Sequence, residues 1–146
     1  MPLFANPSLL QDLCTAIAEH LRNDVGEVNA ITGLEARGFL FGPIIAISLG
    51  VPFVPIRKKG KLPGECIQAS YDVVEIQKGA LKPNWKVVIV DDLLATGGTL
   101  KAAVDVIEKA GAAVAEAFVL IELLPLRGRD RIANVPLTSL LKYNEA

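Results

Sequence analysis

The sequence predicts an α/β fold, with a twisted and mostly parallel β-sheet covered by helices on both faces. Two segments predict it, because each has the order strand, turn, helix and strand: residues 28–56 and residues 86–121. Units of this length form right-handed βαβ crossovers with parallel strands. The chain has 146 residues, the length of one ordinary domain, so we expect a single domain over residues 1–146.

The first half of the chain is predicted to form a helix, a strand, a second helix and a second strand. The first helix begins after Asn6, and apolar residues follow at helical spacing. A short β-rich strand covers residues 28–32. Residues 39–49 are apolar nearly all round, which predicts a buried helix that ends at Gly50. The next strand, residues 51–56, runs into a basic loop.

The second half contains the clearest strand–turn–helix unit. Asp91 and Asp92 close its first strand, and Gly111 ends its helix. Short strands are predicted at residues 67–71 and 73–76, and a buried strand at 86–90. A turn at 93–99, a helix at 100–110 and a last strand at 115–121 follow.

Composition excludes several classes of protein. Hydrophobic residues make up 51% of the chain, too many for a disordered tail, and the formal net charge of −1 gives no overall basic field for nucleic acid. No apolar run is long enough to span a membrane, and no signal peptide is visible. Cys14 and Cys66 match no metal or redox motif, which indicates reduced thiols, and His20 is expected near a helix end. We therefore expect a cytoplasmic protein.

Three polar loops follow predicted strands: residues 35–38, 57–61 and 91–99. In an open parallel sheet, ligands bind outside the carboxyl ends of the strands. The three loops are therefore expected to meet at one crevice.

Residues 95–99, Ala-Thr-Gly-Gly-Thr, directly precede a helix, whose free N–H groups favour an anion. The glycines allow close approach of a phosphate, and the threonine hydroxyls can add hydrogen bonds. The adjacent Asp91 and Asp92 suit sugar hydroxyls or a hydrated Mg²⁺. Together these residues describe a site for a ribose 5-phosphate. The alternative is a plain turn at Gly97 and Gly98, with Thr99 as a helix cap.

Other phosphate and metal motifs are missing from the sequence. It contains neither the P-loop pattern nor a Gly-x-Gly-x-x-Gly opening a helix, and no zinc-binding pattern.

Residues 87–99 resemble the signature by which type I phosphoribosyltransferases bind phosphoribosyl diphosphate (PRPP). Residues 56–64, Ile-Arg-Lys-Lys-Gly-Lys-Leu-Pro-Gly, and the Arg37-Gly38 pair point to the adenine branch of that family. The similarity covers almost the whole chain, and it is also carried by residues 33–42, 75–81 and 135–141.

The resemblance implies transfer of 5-phosphoribosyl from PRPP to adenine, giving AMP and pyrophosphate. It implies catalytic roles for Arg37, Asp91 and Asp92, and a homodimer, since relatives are dimers. The cofactor implied is Mg²⁺, held mainly by the substrate, with Asp91 as a candidate ligand. The implied PRPP- and AMP-binding residues are Glu35, Arg37, Arg57, Lys58, Lys61, Asp91, Asp92, Leu93, Ala95, Thr96, Gly97, Gly98 and Thr99.

The sequence departs from the family pattern in two places. Relatives carry a further N-terminal segment that supplies part of the hood over the base, and we expect this segment to be absent. Between Asp72 and Val73 the mobile loop lacks a Glu-Tyr-Gly stretch whose glutamate handles the base proton, and Glu75 is not its equivalent. Two alternatives therefore stay open: action on another purine base, and a catalytically impaired form that binds PRPP or AMP.

Overall fold

The computed structural model describes residues 2–69 and 74–145. Three helices are present in that part of the chain: α1 Pro7–His20, α2 Gly38–Leu49 and α3 Gly98–Lys109. Seven strands are present: β1 Ala30–Leu34, β2 Phe53–Lys58, β3 Cys66–Gln68, β4 Val74–Gln77, β5 Lys86–Leu94, β6 Ala113–Leu123 and β7 Leu137–Tyr143. Short 3-10 turns cover Pro2–Ala5, Leu124–Leu126 and Gly128–Ile132, and a π-turn covers Leu21–Val25.

The seven strands form one sheet in the order β3-β4-β2-β1-β5-β6-β7. The pairs β2–β1, β1–β5, β5–β6 and β6–β7 are parallel, whereas β4 is antiparallel to both β2 and β3. Both predicted crossovers, β1-α2-β2 and β5-α3-β6, are therefore confirmed, as is the mostly parallel sheet.

Helices cover both faces of the sheet, as predicted. On one face α1 and α2 pack against the strands through fully buried side chains such as Ile17 and Phe41. On the other face α3 does so through Val104 and Ile107. The strands β1 and β5 are neighbours in the sheet. The connection after β1 leads to α2 on one face, and the connection after β5 leads to α3 on the other face. A crevice opens at such a position, at the carboxyl ends of the strands.

Three predicted features need correction. The predicted loop 57–61 begins within a strand, because Arg57 and Lys58 pair with Glu75 and Val74 of β4 and so extend β2 to Lys58. The strand β5 does not stop before the aspartates but continues to Leu94, because Asp91, Leu93 and Leu94 all pair with the longer β6. The helix α2 is not buried all round. Leu40 and Ile47 are 51% and 79% exposed, because the sheet covers one side only of this helix.

The other predicted helices and strands agree with the structure to within a few residues. Asn6 caps α1, accepting a hydrogen bond from the Leu9 N–H at 3.1 Å. Cys14 is buried in α1, and both cysteines are free. The ends of the short strands predicted at 67–71 and 73–76 lie partly outside the described residues, as does the predicted loop deletion between Asp72 and Val73. Within the described chain, no helix has the length and apolar character to cross a bilayer.

Candidate active site

A cavity of about 240 Å³ opens at the carboxyl ends of β1 and β5. Its walls are the loop after β1, the end of β5 and the turn that starts α3. The two strands are neighbours at the point where the chain departs to opposite faces, which is where ligands of open α/β sheets bind. Two of the three predicted loops therefore meet at one crevice.

The turn before α3 is shaped by Gly97. Gly97 has a φ of +84° and is the N-cap of the helix, and no side chain caps α3. Thr99, which the alternative interpretation made a helix cap, is therefore not the cap. Because the first N–H groups of a helix lack partners within it, the start of α3 presents donors to the cavity. This end of the cavity can hold an anion.

The two carboxylates at the end of β5 lie beside those donors. Asp92 is 7% exposed, and its N–H donates to Oδ1 of Asp91 at 2.9 Å. The pKa of Asp91 is raised to about 7, chiefly because partial burial disfavours the charged form and also because of the negative charge of Asp92, while the Asp92 N–H and Arg37 act against the rise. A cation, or hydroxyl groups that donate to the carboxylate, would favour its ionised form.

Arg37 bridges the two loops of the cavity. Its Nε lies 2.8 Å from Oδ2 of Asp92. Half of the Arg37 side chain is exposed, and its two terminal nitrogens make no hydrogen bond to any residue that the structure describes. The guanidinium therefore has donors left to contact an anion while it pairs with Asp92.

Glu35 connects the cavity to the basic loop after β2. Its Oε1 accepts a hydrogen bond from the Lys58 N–H at 2.5 Å, and its Oε2 from the Arg57 guanidinium at 3.2 Å. These contacts lower the pKa of Glu35, the Lys58 N–H being the larger cause. Arg57 also donates to the Lys61 carbonyl at 3.3 Å, and its buried Nε has no partner among the described residues.

Most of the predicted site residues come together. The cavity is lined by Glu35, Arg37, Asp91, Asp92, Leu93, Ala95, Thr96, Gly97, Gly98 and Thr99. Arg57, Lys58 and Lys61 do not line it. Arg57 and Lys58 end β2, and Lys61 lies in the turn after it; the Glu35 carboxylate ties Arg57 and Lys58 to the cavity wall.

The segment Gly128–Ile132, to which the sequence assigned no role, supports the α3 turn from outside the cavity. A Cβ on Gly97 would overlap the Gly128 carbonyl oxygen, so the two backbones touch. Arg129 fixes the segment by donating to Glu122 at 2.7 and 3.0 Å. The available signal was Gly128 itself, a glycine within a run of arginines, since glycine often marks close backbone approach.

No three acidic, histidine or cysteine side chains of the described chain cluster closely enough to enclose a metal ion. The donor set that remains at the cavity is the Asp91–Asp92 pair. A hard cation such as Mg²⁺ prefers oxygen ligands and commonly uses one or two carboxylates together with substrate phosphates. The Asp92 carboxylate is buried and the adjacent Asp91 carboxylate is half-buried, an arrangement of negative charge that a cation would stabilise, so the pair fits such an ion.

Comparison with known proteins gives a consistent result. Residues 2–138 match the family model described as the phosphoribosyl transferase domain. The chain is 61% identical over 152 aligned positions to an adenine phosphoribosyltransferase of Caenorhabditis elegans, covering all of this chain and 82% of the relative. It is 47% identical over 150 positions to the Mus musculus adenine phosphoribosyltransferase, covering 98% and 83%. The nematode alignment is six positions longer than this chain, so it opens gaps in the chain.

Solved structures agree. An adenine phosphoribosyltransferase from Saccharomyces cerevisiae, complexed with an imino-altritol bisphosphate and adenine, superposes with a TM-score of 0.92 at 47% identity, over 97% of this chain and 83% of the other. One from Trypanosoma brucei, in complex with AMP, pyrophosphate and ribose-5-phosphate, gives 0.88 at 32% identity, over 94% and 66%.

Proposed function

The chain belongs to the phosphoribosyltransferase family, and on that premise we propose that it transfers 5-phosphoribosyl from PRPP to adenine, giving AMP and pyrophosphate. The similar proteins from nematode, mouse and yeast all carry the name of this activity. The protein is a transferase of purine salvage.

One observation carries the proposal beyond the names of relatives. The N-terminal turn of α3 and the Asp91–Asp92 pair line the same small cavity, with Arg37 across from them. Donors for a phosphate therefore stand beside acceptors for sugar hydroxyls, and a guanidinium stands on the other side. A ribose 5-phosphate whose C1 carries a further anionic group satisfies all three.

The reaction needs stabilisation of charge more than it needs a nucleophile. As the bond between C1 and pyrophosphate breaks, positive charge develops at C1 and negative charge on the leaving group. Residues 95–99 hold the 5-phosphate, and Asp91 and Asp92 accept hydrogen bonds from the ribose hydroxyls. Arg37 and the basic loop after β2 stabilise the departing pyrophosphate, whose charge grows toward the transition state.

Magnesium is part of the proposal. Asp91 and Asp92 would supply carboxylate oxygens to the ion, and the substrate phosphates would supply the other ligands. When bound, the ion neutralises charge on the pyrophosphate.

We also propose that the protein is a cytoplasmic homodimer. The two free cysteines suit a reducing compartment. Leu40 and Ile47 of α2 both expose apolar surface, and a second copy of the chain would cover that surface. The expected result is a sedimentation mass of twice 15.6 kDa at micromolar concentration, and a mass of 15.6 kDa would contradict the dimer.

The function is tested by incubating the purified chain with PRPP, Mg²⁺ and one base at a time, and measuring nucleotide formed. We expect AMP from adenine and far less product from hypoxanthine or guanine. A preference for either of those bases would change the substrate. Binding of PRPP with no product from any base would show that the chain binds PRPP and does not catalyse the transfer.

A further inference from the structure

Glu75 is a buried carboxylate that the proposed reaction does not use. It lies in β4, opposite Arg57 of β2 in the antiparallel register, and is 3% exposed. The other buried acidic side chains, Asp92, Glu116 and Glu122, each have a basic partner at 2.7–2.8 Å. Over the described residues Glu75 has no ion pair. Because a buried charge without hydrogen bonds is costly, the groups that donate to Glu75 indicate its role.

The closest of these donors is in the cationic loop, which we define as residues 57–61, that is, the last two residues of β2 and the turn after them. The Gly60 N–H donates to Oε1 of Glu75 at 2.9 Å. Gly60 has a φ of +83°, a conformation that glycine adopts readily, and the Lys61 N–H donates to the Lys58 carbonyl at 3.2 Å. The loop is therefore a tight turn, and Glu75 holds it by accepting a hydrogen bond from the Gly60 N–H.

A second carboxylate holds the start of the same loop. Glu35 accepts hydrogen bonds from the Lys58 N–H and the Arg57 guanidinium. Glu35 thus holds the loop at Arg57 and Lys58, whereas Glu75 holds it at Gly60. The Gln68 amide also donates to Glu75, at 3.5 Å. The cationic side chains of the loop thus extend from a backbone that two carboxylates hold in place.

We propose that Glu75 is a positioning residue for pyrophosphate: by accepting the Gly60 N–H, it fixes the turn from which Arg57, Lys58 and Lys61 contact that group of PRPP. The inference rests on the proposed function, and it assigns Glu75 no contact with substrate. AMP has no pyrophosphate, so its binding should not depend on this turn. This difference separates positioning from a general structural role.

The experiment compares three substitutions. Glu75→Ala and Glu75→Met remove the acceptor, Met with little loss of volume, and Glu75→Gln keeps an oxygen that can accept the Gly60 N–H. Titration calorimetry gives Kd for PRPP, pyrophosphate and AMP, and steady-state kinetics gives KM and kcat. In the Ala and Met variants we expect the Kd of pyrophosphate and the KM of PRPP to rise about tenfold. The Kd of AMP should stay within about twofold, and Glu75→Gln should recover most of the loss.

Glu65→Gln is the matched control, because it removes the same charge from an exposed side chain that pairs with Lys78 and, over the described residues, forms no ion pair with the cationic loop. It should bind all three ligands as the unaltered protein does. If Glu75→Ala does not fold by circular dichroism, Glu75→Met and Glu75→Gln carry the comparison.

Two results would overturn the role of Glu75: an equal loss of affinity for AMP and pyrophosphate in the Met variant, or no loss for either. In both cases the unaltered chain still binds PRPP, so the proposed function stands. An unaltered chain that binds neither PRPP nor pyrophosphate would instead overturn the proposed function, and the role of Glu75 with it.

Discussion

The Nε atom of Arg37 lies 2.8 Å from Oδ2 of Asp92, and this ion pair joins the loop after β1 to the end of β5. The partners differ in exposure, since half of the Arg37 side chain reaches solvent while Asp92 is buried. Removal of Arg37 would therefore leave a buried carboxylate without its cation, in addition to removing a donor for pyrophosphate. The two residues are expected to act as a unit.

Arg37→Ala should lower kcat on the order of 10²-fold, because pyrophosphate gains charge as its bond to C1 breaks. Arg37→Lys should recover only part of the rate, since lysine cannot form two parallel hydrogen bonds to a phosphate. A double-mutant cycle with Asp92→Asn, read from kcat/KM, should show that the combined loss is smaller than the product of the single losses. Unchanged kcat and unchanged inhibition by pyrophosphate in Arg37→Ala would remove Arg37 from the site.

Thr99→Ala should weaken the binding of AMP and PRPP by several-fold without a change in Tm, because the Thr99 hydroxyl lines the cavity and caps no helix. Titration calorimetry measures the affinities. Thr15→Ala, on the exposed side of α1, is the control and should leave them unchanged. Normal affinity in Thr99→Ala would show that this hydroxyl does not contact the phosphate.

Gly97→Val should weaken binding more and also lower Tm. The substitution meets a φ of +84° and the Gly128 carbonyl, so the turn and the segment Gly128–Ile132 must move apart. From the sequence alone we would have expected the fold to be undisturbed, because nothing in it places Gly128 against the turn. A variant with normal Tm and normal PRPP affinity would contradict the packing of these two glycines.

The raised pKa of Asp91 predicts a pH dependence of stability. Its pKa is about 7 in the folded chain and near 4 in the unfolded chain, so the folded state binds the extra proton between these values. The contribution of Asp91 is therefore present below pH 4 and is lost as pH rises toward and through 7. In the unaltered protein this loss should lower Tm as pH rises from 4 to 7, and in Asp91→Asn this decrease in Tm should be absent. Parallel Tm curves for the two proteins from pH 4 to 8 would contradict the raised pKa.

His20 predicts a second pH dependence, in a region far from the cavity. Burial lowers the pKa of His20, but hydrogen bonds to Glu116 at 2.7 Å and Asp24 at 2.8 Å raise it more, so that it lies above its usual value. Its stabilisation is full below about pH 6.5 and is lost as pH rises through the raised pKa. His20→Gln should cost on the order of 1 kcal/mol at pH 6 and less at pH 9.

Denaturant unfolding of the Asp91→Asn protein with and without His20→Gln measures this, because the Asp91 titration is then absent from both curves. The chain has one histidine, so the difference belongs to His20. An equal cost at pH 6 and pH 9 would show that His20 stabilises the fold as a neutral side chain.

Much of the fold could be predicted because local signals agreed with the tertiary structure. Gly97 and Gly98 between a β-branched run and an amphipathic helix marked the second crossover, and its cavity residues followed from their place at a strand end. The end of β5 could not be predicted. Asp91 and Asp92 predict the end of the strand, yet pairing with β6 extends it beyond them. The length of a neighbouring strand cannot be predicted from the local sequence of β5.

The remaining failures have the same origin. Glu75, Gly128 and Glu122 act through partners in other elements or turns: Gly60 for Glu75, Gly97 for Gly128, and Arg129 and Ser139 for Glu122. Such contacts depend on how the elements pack, and one sequence without relatives for comparison does not encode them in any short pattern. The exposure of Ile47 is a related case. An apolar helix has the same sequence pattern whether a sheet or a second copy of the chain covers its outer side.

The roles of Asp91 and Asp92 in transfer are tested by measuring the formation of AMP from adenine and PRPP by the unaltered protein and by the Asp91→Asn, Asp92→Asn double variant. We predict turnover by the unaltered protein, and a loss in kcat/KM of at least about tenfold in the double variant, roughly 1.4 kcal/mol of transition-state stabilisation. Circular dichroism should show the same fold for both. A double variant that makes AMP at the unaltered rate and differs only in Tm would contradict the account, because the aspartates would then stabilise the end of β5 and not bind the ribose.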